Sequence, residues 1–131
     1  MRRPSLPAEL GVIAIGGAMG AAARYGLDQA FPVDAGELPW TTLVINVVGA
    51  ALLAALLAGG VRVWRHPLDV LFAGTGVLGG FTTFSTYAVH VDRLLADGHA
   101  AVGLAYAGGT LAAAVTASHF VRQAVLRGGG G

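Results

Sequence analysis

Four stretches of this chain carry no acid, lysine or arginine, and their lengths limit what the chain can become. They run from Leu10 to Ala23, Leu38 to Val61, Val70 to Val91 and Ala100 to Val121. A bilayer core of about 30 Å takes roughly 20 helical residues to cross. The last three runs meet that length, and the first does if it continues past Arg24 to Ala30. A soluble bundle of four all-apolar helices would need far more polar surface than 131 residues with 11% charged side chains supply. A β-barrel would alternate apolar and polar residues with period two, which no run does. The fold expected is an all-α membrane protein, a single domain over 1–131, with transmembrane helices at about 8–30, 38–61, 69–93 and 100–122.

The connecting segments read as loops. DQAFPVDAGELPW holds three acids and two prolines, RVWRHPLD separates spans two and three, and DRLLADGHA separates three and four. Trp40 and Trp64 flank span two, where interfacial aromatics belong. MRRPSLPAEL is basic but polar and is not expected to be a cleaved leader. The RGGGG segment, 127–131, is expected to be a disordered tail. A net charge of +1 gives no reason to expect nucleic acid as a partner, and without cysteine there is neither a disulfide nor a thiolate metal site.

The polar residues inside the spans carry the chemistry. Span three contains GGFTTFSTY, residues 79–87: two glycines, then four hydroxyls among threonine and serine, inside apolar sequence. Hydroxyls that bond back to their own helix would merely bend it. A helix broken there instead frees carbonyls and N–H groups at mid-membrane, which is tolerated only where they are buried in protein or line a cavity. Such breaks bind ions, carbonyls facing cations and N–H groups facing anions. Asn46 sits near the middle of span two with Thr42 one turn before it, either as interhelical glue or as a ligand. Arg24 ends the core of span one, either snorkelling to the interface or anchoring something inside. Tyr106 and Thr110 share a face of span four. Gly16 with Gly20, and Gly76 with Gly80, have the spacing that lets helices approach closely, within one chain or between two.

Ser85, His90 and Asp92 fall on one helix without a nucleophile turn, so no hydrolase is expected and the chain is not read as an enzyme. His66, His90, His99 and His119 lie near span ends, without the spacing of a metal cluster.

GGAMGAAARYG, PWTTLVINVVGA and GTGVLGGFTTFSTY, in that order on successive spans, resemble the Fluc (CrcB) fluoride channels over nearly the whole chain. The resemblance implies a channel that passively exports toxic fluoride from the cytoplasm, built as an antiparallel dimer with two pores. It implies a structural sodium ion (Na+) at the dimer centre, held by backbone carbonyls that match Gly79 and Thr82. The pore aromatics match Phe84 and Tyr87, the pore asparagine Asn46, the span-four pair Tyr106 and Thr110, and the family's arginine Arg24. Fluoride is small and strongly hydrated, so donors such as the Asn46 amide and the Ser85, Thr86 or Thr110 hydroxyls would replace its water. The positive edge of Phe84 would face the anion. The chain departs from the family at Tyr87, at His90 where an acid is common, and at Ala114 where a hydroxyl is common.

Two rivals stand beside this reading: a small four-span drug or cation exporter, which needs a mid-membrane acid that no span here contains, and a non-conducting accessory subunit. In the loops, Arg2, Arg3, Arg62, Arg65, Arg122 and Arg127 fall on one side and Arg93, with Arg24 if counted, on the other. Basic loops stay inside, so both termini are expected in the cytoplasm of a multi-pass plasma or inner-membrane protein. A single orientation points to a homologous subunit of opposite orientation as the antiparallel partner.

Overall fold

A computed structural model describes residues 4–64 and 66–129. Arg2, Arg3 and Arg65, counted above toward the basic side, lie outside the described residues, as do Gly130 and Gly131. The chain order is α1 (Leu6–Ala30), α2 (Trp40–Val63), α3 (Pro67–Val70), a π-helical segment (Leu71–Leu78), α4 (Gly79–Phe81), α5 (Phe84–Ala96) and α6 (Ala100–Gly128). The third span is the composite of α3, the π segment, α4 and α5. Four helical runs, Leu6–Ala30, Trp40–Gly59, Pro67–Ala96 and Ala100–Gly128, are long and apolar enough to cross a membrane.

Local chemistry sets the ends. Pro7 stands in the first turn of α1 and presets its backbone, and Glu9 there meets the positive end of the helix. That is why the helix starts two residues before the expected Ala8. Phe31 leaves the helix ahead of Pro32, which disfavours helical backbone in the residue before it. His66 caps α3, its Nδ1 accepting from Leu68 N at 3.2 Å. The turn into α6 passes through Gly98 at φ +83°, a conformation that side chains resist. The expected tail is corrected in part: Arg127 and Gly128 close α6, so the fourth span runs past its expected end at 122. No residue before Gly128 in that stretch breaks the helix, which therefore continues.

The helices pack as two pairs. α1 lies along the π segment and α4, and α2 lies along α6. Both pairs run parallel: Gly16 meets Phe72–Val77 and Gly20 meets Val77–Phe81, as spans one and three must if each crosses once. Gly16, Gly20, Gly76 and Gly80 all serve the α1 contact. A Cβ on Gly16 would stand 2.6 Å from the Phe72 carbonyl oxygen, and one on Gly80 would overlap the Gly17 carbonyl. Both glycine pairs therefore pack inside one chain, backbone on backbone.

The interior is small. Tyr87, Leu94 and Tyr106 form its buried cluster, with Leu38, Leu43, Val91, Val102 and Ala107 against it. Large apolar side chains cover the outside instead, among them Leu57, Leu104, Val115 and Phe120, each about two-thirds exposed. Water does not tolerate so continuous an apolar surface on a soluble protein, and lipid does.

Candidate functional site

The third span stops being helical at Thr82 and Thr83, both extended (φ −78°, ψ 154° and φ −149°, ψ 122°), and resumes at Phe84. Side chains stabilise the break from both ends. On the near side, Thr82 N–H and Thr82 Oγ1 both donate to the Leu78 carbonyl, at 3.0 and 2.9 Å. On the far side, Thr83 caps α5: its Oγ1 accepts from Thr86 N at 3.1 Å and donates to Thr86 Oγ1 at 3.1 Å. A threonine cap of this kind contributes about 1 kcal/mol.

Asn46 holds the same break from α2. Its Nδ2 donates to the Thr83 carbonyl at 3.0 Å and its Oδ1 accepts from Thr83 N–H at 2.9 Å. The amide thus stands where a neighbouring strand would, and one Nδ2 hydrogen is left over. Gly49, one turn later on α2, makes room for this approach, since a Cβ there would overlap the Thr82 γ-methyl. Arg24 reaches inward rather than out to the interface, its Nε donating to the Gly80 carbonyl at 3.4 Å.

Two sets of backbone groups stay open at the break. No hydrogen bond reaches the carbonyls of Gly79 or Thr82 among the described residues, and none leaves the N–H groups of Phe84 and Ser85. The first set consists of acceptors, chemistry that suits a cation, and the second, at the positive end of α5, of donors, chemistry that suits an anion. Asn46, Gly49, Gly79, Thr82, Thr83 and Phe84 line one open groove of about 310 Å³. Phe84 stands out of it, 76% exposed.

Beyond the break, aromatic rings continue along α5 and α6. Phe84 and Tyr87 lie 5.6 Å apart, Tyr87 and Tyr106 5.3 Å, and His90 and Tyr106 6.1 Å. The Tyr87 hydroxyl donates to the Ala107 carbonyl at 2.9 Å, so it is occupied. Tyr106 and Thr110 are buried on α6, and among the described residues neither hydroxyl makes a well-formed hydrogen bond, although the Thr42 side chain lies beside that of Tyr106. Buried hydroxyls in proteins are almost always paired, so these two, a turn apart, are donors left open to a hydrogen-bond acceptor.

The expected site residues divide accordingly. Asn46, Phe84, Gly79 and Thr82 meet at the groove, Tyr87 packs on Tyr106 with Thr110 one turn further along α6, and Thr86 is absorbed in the cap. Ser85 is exposed, and its hydroxyl makes no hydrogen bond among the described residues. Thr83, Gly49 and the π winding were missed. A threonine before an amphipathic run is a cap signal and points to Thr83. The winding leaves no mark in the sequence.

Residues 11–121 match the family described as CrcB-like protein, Camphor Resistance (CrcB). The chain is 50% identical over 117 residues to "Fluoride-specific ion channel FluC 1" of Streptomyces coelicolor, covering 88% of this chain and 76% of that one. It is 48% identical over 101 residues to "Fluoride-specific ion channel FluC 2" of Streptomyces avermitilis, covering 76% and 64%. A third relative, "Fluoride-specific ion channel FluC 2" of Nocardia farcinica, is 42% identical over 113 residues, covering 86% and 81%.

Proposed function

The chain belongs to the CrcB family, and from that membership and the geometry above we propose that it is a fluoride-selective channel. The observation that carries the proposal is the pair of buried, unpartnered hydroxyls, Tyr106 and Thr110. A hydroxyl without a partner costs about 1–3 kcal/mol, a cost that a passing anion removes. Fluoride accepts hydrogen bonds strongly and is small, so a narrow row of fixed donors replaces its water where it cannot replace that of a larger halide. The open Phe84 and Ser85 N–H groups, the spare Nδ2 hydrogen of Asn46 and the Ser85 hydroxyl extend the row, and the edge of Phe84 adds a weak positive face. No step needs a proton or ATP. The exporter reading is disfavoured because the acids within helical runs, such as Glu9 and Asp28 of α1, lie near the helix ends.

The open Gly79 and Thr82 carbonyls suit a hard cation, and they are the groups that would hold a structural sodium ion, whose charge would neutralise the oxygens of the break. The groove around them supports an antiparallel dimer. Broken backbone facing lipid is not tolerated, so a second subunit covers it. The loop arginines support an inside location for both termini, and Arg24, bonded to the Gly80 carbonyl, drops out of the count. One fixed orientation then makes a homologous subunit of opposite orientation the partner.

Fluoride efflux from liposomes, with chloride as control, tests the function. Fluoride flux far above chloride flux is expected, and equal rates overturn the proposal. A C-terminal reporter active only inside, with weak conduction by this chain alone, supports the paired-subunit arrangement. Activity on both sides with full conduction replaces it with a homodimer.

A further inference from the structure

A cavity of about 350 Å³ opens at the end of α5 away from the break, lined by the 33–39 loop, His90, Arg93, Leu94 and Asp97. Its inner limit is His90. The ring packs 6.1 Å from Tyr106, whose hydroxyl is one of the two unpartnered ones, and His90 Nδ1 is itself buried without a partner. The unpaired polar atoms of Thr110, Tyr106 and His90 therefore form one series, and it ends at this cavity.

We propose that the cavity is the mouth of the anion path and that His90 is its titrating donor, so that anion flux rises when His90 takes up a proton. The inference rests on the channel reading above. A neutral imidazole has one N–H donor and an imidazolium has two, together with a charge.

The surroundings give that charge leverage. From the loop, Asp34 and Glu37 face the cavity; from the end of α5, Asp97 and Arg93 do. Three carboxylates against one guanidinium leave the mouth with two net negative charges while His90 and His99, whose ring packs on Gly36 of the same loop, are neutral, and that excess repels an entering anion. A proton on His90 halves that excess. Burial disfavours the charged ring and so does Arg93, whereas Asp28 of α1 favours it. Asp34, Glu37 and Asp97 are exposed and screened by salt, whereas half-buried His90 is screened less. A unit charge about 6 Å from the path, at an effective dielectric of about 40–80, changes anion occupancy about threefold to tenfold.

The test is fluoride current across a planar bilayer, recorded at about pH 5 and pH 8, a range that reaches below the ordinary imidazole transition because burial disfavours the charged ring. Current excludes neutral hydrogen fluoride, which crosses lipid without carrying charge. The wild-type current at fixed fluoride should be about threefold to tenfold larger at the lower pH. His90→Gln and His90→Asn, which keep a donor and cannot titrate, should each conduct fluoride with a flat profile. Their thermal unfolding in detergent should match the parent. A flat wild-type profile overturns the inference, as does a pH response that survives in both variants. A protein that carries no fluoride current at either pH overturns the channel reading and this inference together.

Discussion

Replacing Asn46 with leucine, which has similar bulk and no amide, separates the break from its clamp. The variant removes both hydrogen bonds to Thr83, the 3.0 Å bond to its carbonyl and the 2.9 Å bond from its N–H. As first residue of the cap, the Thr83 carbonyl also serves the first turn of α5, so it keeps part of its bonding. Its N–H keeps nothing. An unpaired buried backbone group costs about 1–3 kcal/mol. Even the N–H alone therefore opens the break by a factor of about 5 to 150, at 1.4 kcal/mol per tenfold. Deuterium exchange of the peptide covering residues 79–87 reads this directly: exchange there should accelerate about tenfold or more, while peptides from α6 stay as they were. Fluoride flux should fall in parallel. Asn46→Asp should lie between the two, because one oxygen still accepts from Thr83 N–H while the other faces the carbonyl without a hydrogen. Unchanged exchange at 79–87 in the leucine variant would refute the claim that Asn46 holds the break.

Tyr87→Phe removes one hydrogen bond, to the Ala107 carbonyl, and leaves the rings in place. It should cost about 1 kcal/mol of stability and conduct at least as well as the parent, so abolished flux would show the hydroxyl to be a ligand. Thr110→Val keeps the volume and removes a hydroxyl that has no partner among the described residues. Thermal unfolding should not fall while fluoride flux does, and a loss of stability without loss of flux would contradict the donor role. Gly80→Ala drives a Cβ into the Gly17 carbonyl, whereas Gly26→Ala meets nothing within 4 Å. Size-exclusion profiles in detergent should show little folded protein for the first, at an overpacking cost of about 1–3 kcal/mol or more, and normal yield for the second.

The four spans were legible because crossing a bilayer demands length and the absence of charge, and both are written residue by residue. The break was legible too, since Gly79, Gly80 and four hydroxyls contradict everything around them. The details of the break were not. Whether Asn46 bonds an ion or the backbone depends on where α2 stands relative to Thr83, and that is set by Gly49 giving way to Thr82. Arg24 read equally well as snorkelling outward or anchoring inward, because a long side chain near a helix end reaches both ways. The Gly80 carbonyl, its partner, is freed only by the break itself. The glycine pairs gave the spacing of a close contact without naming the partner, since spacing is a property of one helix and contact belongs to two.

The π winding of Leu71–Leu78 has a consequence for the azimuth of everything after it. Hydrogen bonds there skip one residue more than in an α-helix, and Gly79 N–H accordingly reaches back to the Gly74 carbonyl. The segment absorbs what amounts to an inserted residue before the chain arrives at Thr82 and Thr83. Removing one residue between Leu71 and Leu78 would let the span rewind as a regular helix, equally apolar and still able to cross the membrane. Each residue turns an α-helix by about 100°, so Thr83 would then face away from Asn46, and Gly80 would turn its hydrogen toward lipid rather than toward Gly17. The direction in which the break opens is thus fixed a full turn upstream of it, by the pitch of a segment that contains no polar side chain but Thr75.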